Sequence, residues 1–208
     1  MSSTVQIAPP RASLSTLPLD QRRGIDAMWA VIATEGMLFA CMFAAYYYLG
    51  SNKDRWSIEV PPKLYLALIL AAILISSSFV LHWGEKQVKA ARFGAARAAV
   101  WITIFVGLIF LGVQGYEYYD HWKELAPYSN SYGSTFYAIT SLHAAHVIAG
   151  LGLLAFLGVV PRYGETQRTP HRPYTPISMY WHFVDIVWLF IVTLLYIVPQ
   201  FLAIHHAH

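Results

Sequence analysis

From Ile177 to Ile204 the chain carries a single Asp, Glu, Lys or Arg side chain, Asp185. A helix rises about 1.5 Å per residue and a bilayer core needs about 20 apolar residues, so this run is long enough to cross a membrane. Four more such runs precede it, and the five occupy about 25–50, 62–83, 95–122, 133–160 and 177–204. Short polar turns separate them, which forces neighbouring helices to lie antiparallel. The pattern predicts an all-α fold: a polytopic membrane bundle of five transmembrane helices over 25–204. Residues 1–24 are polar and rich in Pro and Ser, with no apolar core of a secretory signal. They are expected to form a mobile cytoplasmic tail.

Composition narrows the function classes. Only 12% of residues are charged, about half the share in soluble domains, so a polar shell for a water-soluble core cannot be built. The single Cys41 excludes a disulfide framework and a Cys-based metal site. A dispersed net charge of +3 gives no basic face for nucleic acid. If the N-terminus is cytoplasmic, the inner segments hold ten Lys and Arg and the outer ones hold Lys53, Arg55, Lys63 and Lys123. That excess favours N-in, C-out. There is no Gly-rich phosphate loop and no nucleophile with a base beside it. No run has a proline near its middle, as an alternating-access transporter would require. No catalytic residue is expected in this chain.

Six ionisable residues within the apolar runs carry the chemistry: Glu35, Glu117, His143, His146, His182 and Asp185. A charged side chain in hydrocarbon costs about 2.5–3.5 kcal/mol on insertion scales, so each must face protein or water. His182 stands three residues before Asp185 and shares its helical face. Glu35 reads either as a hydrogen-bonded structural carboxyl or as a proton-handling one. Glu117 lies one turn inside its helix end, where it can reach water or a Tyr hydroxyl. His143 and His146 could share a metal or haem, or each could bond a different partner. The economical expectation is one buried polar network knitting the helices together. Ser76-Ser77-Ser78 reads as a small patch for close helix contact, and Ser141, Ala145 and Ala149 as a smooth strip for a neighbouring helix. His82 and Trp83, with Lys86, Lys89 and Arg92, read as interface anchors or lipid-phosphate contacts.

Four motifs then acquire a joint meaning. Tyr180-Trp181-His182-Phe183-Val184-Asp185-Ile186-Val187-Trp188-Leu189-Phe190 resembles the last helix of subunit III of the haem–copper oxidases. Tyr132-Gly133-Ser134-Thr135-Phe136, followed by Leu142-His143-Ala144-Ala145-His146-Val147-Ile148-Ala149-Gly150, resembles its penultimate helix. Gln114-Gly115-Tyr116-Glu117-Tyr118-Tyr119 is similar to its Gln-x-x-Glu-Tyr element, and Thr34-Glu35-Gly36-Met37-Leu38-Phe39 to its Ser-Glu-x-x-x-Phe element. The motifs fall in the family's order over about 22–200, in the five-helix bacterial form.

The resemblance implies a non-catalytic subunit of a proton-pumping, aa3-type cytochrome c oxidase of a bacterial aerobic respiratory chain. The complex reduces dioxygen to water. In the family, haem and copper reside in partner subunits and none in this one. Subunit III packs on subunit I, with subunit II and small subunits nearby, holds phospholipids in a cleft between helix groups and supports proton uptake. Trp83 and Arg162 become candidate lipid head-group contacts, and cytochrome c, or a cytochrome bc complex, becomes a partner through the assembly. A quinol oxidase of the same superfamily is the alternative. A small b-type cytochrome using His143, His146 and His182, and a stand-alone proton transporter through Glu35 and Asp185, are the readings from other classes.

Overall fold

The computed structural model describes residues 19–51, 63–122, 130–159 and 173–199. They form five helices, as the apolar runs predict: α1 Leu19–Ser51, α2 Leu64–Lys89, α3 Phe93–Trp122, α4 Ser131–Val159 and α5 Tyr174–Ile191. A π-helical segment, Val192–Ile197, continues α5. All five are long and apolar enough to cross a membrane. In hydrocarbon no water is present to satisfy a free backbone N–H or C=O, so a chain this apolar must close its backbone bonds within each helix.

Helix α2 runs past the expected end at Trp83 to Lys89. The extra turn is polar and self-supporting, since Glu85 lies 3.2 Å from Lys89 one turn on, the spacing at which opposite charges favour a helix. The link to α3 turns at Ala91, which takes φ 57°, a left-handed conformation that costs a residue with a Cβ on the order of 1 kcal/mol.

The packing order differs from the chain order. α2 lies along α3, α3 along α4, and α5 contacts α1, α2 and α4; α1 packs on α4 and α5. Of the most apolar window of α5, 56% of residues are buried; of that of α1, 6% are. The last helix is thus the centre and the first is an outrigger.

Trp181, fully buried, explains how the centre closes. Its indole N–H donates to Ser77 Oγ on α2 at 3.0 Å. Its ring lies over two glycines: a Cβ on Gly107 of α3 would sit 2.9 Å from Trp181 Cη2, and one on Gly150 of α4 would sit 3.0 Å from Trp181 Cε3. Small residues let backbones approach, and in lipid that contact is the main force holding helices together. Of the strip expected on α4, Ser141 Oγ lies 3.4 Å from the Tyr118 hydroxyl of α3. Ser141, Ala145 and Ala149 are exposed, and the close approach to Trp181 falls on Gly150 instead.

Candidate functional site: paired acids and histidines between helices

The six ionisable residues do not gather in one place. Hydrogen bonds divide five of them among three helix pairings, and His143 stands apart.

The first pairing joins α1 to α4. Glu35 Oε2 lies 3.0 Å from His146 Nε2. The other ring nitrogen, Nδ1, lies 2.8 Å from the carbonyl oxygen of Leu142. A carbonyl only accepts, so Nδ1 carries a hydrogen. The Nε2 contact with the carboxyl group then ties α4 to α1. The Glu35 side chain remains 33% exposed and that of His146 12%, so the pair sits at a helix seam rather than in the core.

The second pairing joins α2 to α5. His182 and Asp185 share a face, as their spacing predicts, and the hydrogen bonds that connect them run through Ser78 of α2. The Ser78 hydroxyl donates to Asp185 Oδ2. Its lone pairs then take the hydrogen of His182 Nδ1 at 2.7 Å. His182 Nε2, left bare, accepts from the Ser178 hydroxyl at 3.2 Å. The string Ser178–His182–Ser78–Asp185 thus has all its donors pointing one way, toward the carboxylate. Every interior member can both give and take a hydrogen, so the string can reverse as a unit if the acid gains a proton. Asp185 is 6% exposed.

The third pairing ties α3 to the π segment. Glu117, 2% exposed, accepts from Gln114 Nε2 at 3.2 Å and from the Tyr196 hydroxyl at 3.4 Å. Of the two routes open to Glu117 in the sequence, water or a tyrosine, the tyrosine is the one realised. Tyr196 belongs to the π turn, whose extra residue rotates the side chains beyond it about the helix axis; such turns occur often at functional sites.

His143 is enclosed by rings. It stacks on Trp188 with centroids 5.1 Å apart and meets Phe110 edge-on at 5.9 Å. Neither of its nitrogens has a hydrogen-bond partner among the described residues. His143 and His146 therefore point to different neighbours. Among the described residues no three His, Cys, Asp or Glu side chains converge to hold a metal ion.

Sequence reasoning missed Ser78 and Ser178 as members of a string. Ser178 carries a signal, since it stands one turn before His182. Ser78 carries only the broad one of a serine patch. Trp83 is 48% exposed near one end of α2. Arg162 lies outside the described residues, as does the histidine-rich C-terminal stretch. At the opposite end Lys63 pairs with Asp120 of α3 at 2.5 Å, and the neighbouring carboxylate holds its ammonium above the ordinary lysine range.

The chain is similar to known proteins over most of its length. The family model described as cytochrome c oxidase subunit III matches residues 21–200. The cytochrome c oxidase subunit 3 of Thermostichus vulcanus is 36% identical over 174 residues, 82% of this chain and 85% of that one. A probable cytochrome c oxidase subunit 3 of Mycobacterium leprae is 35% identical over 173 residues, 80% of this chain and 84% of that one. The Arabidopsis thaliana subunit 3 is 32% identical over 176 residues, covering 79% of this chain and 64% of the longer plant protein. With the family model matching residues 21–200 and relatives more than 30% identical over most of the chain, the chain belongs to the cytochrome c oxidase subunit III family.

Proposed function

We propose that this chain is the cofactor-free third subunit of a bacterial, proton-pumping aa3-type cytochrome c oxidase, accepting electrons from cytochrome c at a partner subunit. It stabilises subunit I, holds phospholipids in a cleft between helix groups and supports proton uptake while partner haems and copper reduce dioxygen to water. Its N-terminus faces the cytoplasm and its C-terminus the outside. The observation that carries this reading is the family match over residues 21–200.

The chemistry of the site suits a supporting part. Glu35 and His146 are joined directly at a half-buried seam, and Ser178, His182, Ser78 and Asp185 form a string of hydrogen bonds between α5 and α2. Neither contains a group that could accept an electron, whereas carboxyl, imidazole and hydroxyl groups can hold or pass a proton. The outer surface of α1, with Trp29, Met37 and Tyr48 exposed, offers apolar area for a large membrane partner. Trp83 and Arg162 are the proposed lipid head-group contacts; the guanidinium of Arg162 would fit a phosphate through paired N–H donors.

The test is an affinity purification of the full-length chain from its own membrane in mild detergent, read by mass spectrometry, a reduced-minus-oxidised spectrum and oxygen uptake. Larger haem-bearing chains should co-purify and consume oxygen with reduced cytochrome c. The separated chain should show no haem absorbance. Oxidation of quinol but not cytochrome c by that complex would move the chain to the quinol branch, and a Soret band on the separated chain would overturn the reading.

A further inference from the structure

The hydrogen bonds that lead to Asp185 have a direction. Ser178 donates to His182 Nε2, His182 Nδ1 to Ser78, and Ser78 to Asp185 Oδ2. Every hydrogen in the string points at the carboxyl group. Asp185 Oδ1 is buried and has no partner among the described residues, so the string ends on an acid with an acceptor still unused. Asp185 lies about 16 Å along α5 from Tyr174, at about 1.5 Å per residue. Beside it Ile75, Phe79, Ile186 and Leu189 wall the α2–α5 groove with carbon, so the string stops in hydrocarbon.

Its other end leads to the polar end of α2. Thr175 and Ser178 stand on one face of α5 at i, i+3 spacing, and the Thr175 hydroxyl donates to Glu85 Oε1 at 3.2 Å. The Glu85 carboxylate also lies 3.2 Å from Lys89 and 3.9 Å from the exposed His82. Acid, hydroxyls and an imidazole thus succeed one another from Glu85 to Asp185, and every member between the two acids both gives and takes a hydrogen. The other acids of the spans are engaged elsewhere, Glu35 with His146 and Glu117 with Gln114 and Tyr196.

We propose that this line is a one-ended proton store, in which Glu85 takes a proton from water and Asp185 holds it. A hydrogen reaches the Ser178 hydroxyl from Glu85 by way of Thr175 and one bridging water, and Ser178 gives its own hydrogen to His182 Nε2. The imidazole releases the hydrogen on Nδ1 to Ser78, and Ser78 gives its hydrogen to Asp185 Oδ2. One proton has entered and one has arrived. The members between keep their number of hydrogens, and their bonds now run the other way. Reversal returns the proton to the side it came from, so the line stores a proton and does not carry it across the membrane. This rests on the proposed support of proton uptake and assigns residues to it.

The test uses the assembled complex, acidified by photolysis of a caged proton and followed by time-resolved infrared spectroscopy in the carboxylic acid C=O region. A band should rise in the native complex and be missing in Asp185→Asn. Ser78→Ala should slow its rise about tenfold, the equivalent of about 1.4 kcal/mol on the barrier. Ser78→Thr restores the hydroxyl and should restore the rate, which a merely structural Ser78 would not govern. Should Ser78→Ala fail to assemble, Glu85→Gln at the polar end should slow the rise in its place. A band that survives Asp185→Asn, or that rises at the native rate in Ser78→Ala or Glu85→Gln, overturns the store. Proton uptake during oxygen reduction, read with a pH-sensitive dye with and without this subunit, tests the supporting role separately. Subunit-dependent uptake without an Asp185 band overturns the store alone, and uptake indifferent to the subunit overturns both.

Discussion

Glu35 with His146 and Asp185 with His182 look alike on paper, an acid and an imidazole in hydrocarbon, yet the bundle treats them differently. The first pair bonds directly, across two helices, at a seam where the carboxyl side chain stays 33% exposed. The second is joined through Ser78 of a neighbouring helix, and Asp185 is 6% exposed. A direct pair ties two helices without a third side chain. A mediated pair fixes three side chains at once and makes the position of α2 depend on α5. The difference teaches that acid–histidine spacing in a membrane span does not define a role. Acid and histidine on different helices bond directly, whereas on one helix they meet through a side chain of a third position, Ser78.

Substitutions at four positions would break or sharpen that contrast. The largest effect is expected at Trp181, which closes the centre over Gly107 and Gly150. Trp181→Ala should cost on the order of 3 kcal/mol and release the subunit from the purified complex, whereas Trp29→Ala on the exposed side of α1 should leave the fold of the chain intact. Thermal release of the subunit in detergent, followed by gel, reads both. Equal behaviour of the two tryptophans would contradict the central place given to α5.

Next comes Asp185→Ala, which strands the Ser78 hydroxyl. A buried donor without a partner costs about 1–3 kcal/mol, so retention of the subunit should fall. Asp185→Asn keeps an acceptor in place and should recover most of it. If alanine is retained as well as the native residue, the Ser78 string does not hold α2 to α5.

The smallest change is expected for Glu35→Gln. Interhelical hydrogen bonds in membrane bundles average about 0.6 kcal/mol, and the amide still reaches His146, so assembly should be unaffected. What should change is the infrared band of the Glu35 carboxyl group, which disappears, together with a modest shortening of turnover lifetime. Complete loss of oxygen reduction in a correctly assembled Glu35→Gln complex would defeat the supporting role.

Much of the fold is legible in the sequence. Run length marks the five spans because the bilayer imposes a length, and Asp185 with His182 on one face is a consequence of helical spacing. The partnerships between helices are not legible. Glu35 and His146 stand 111 residues apart, and no local pattern connects them. In a soluble protein the apolar stripe would show which face turns inward; here lipid and core are equally apolar, so the stripe is lost. That is why nothing in the sequence singles out Gly150, which makes the close approach to Trp181. The π segment is equally silent, since Val192–Ile197 contains neither Gly nor Pro, and its extra residue shows only in how Tyr196 reaches Glu117.

The outrigger position of α1 sets a schedule for biogenesis. This helix is made first, but the surfaces it docks on, α4 and α5, are made last. At roughly 5–20 residues per second of synthesis, Glu35 would wait on the order of 10 s before its histidine emerges. Until then the acid must be chaperoned, by the insertion machinery or by another polypeptide already resident in the bilayer. A subunit threaded in this order is well suited to being received by a waiting host rather than to folding alone.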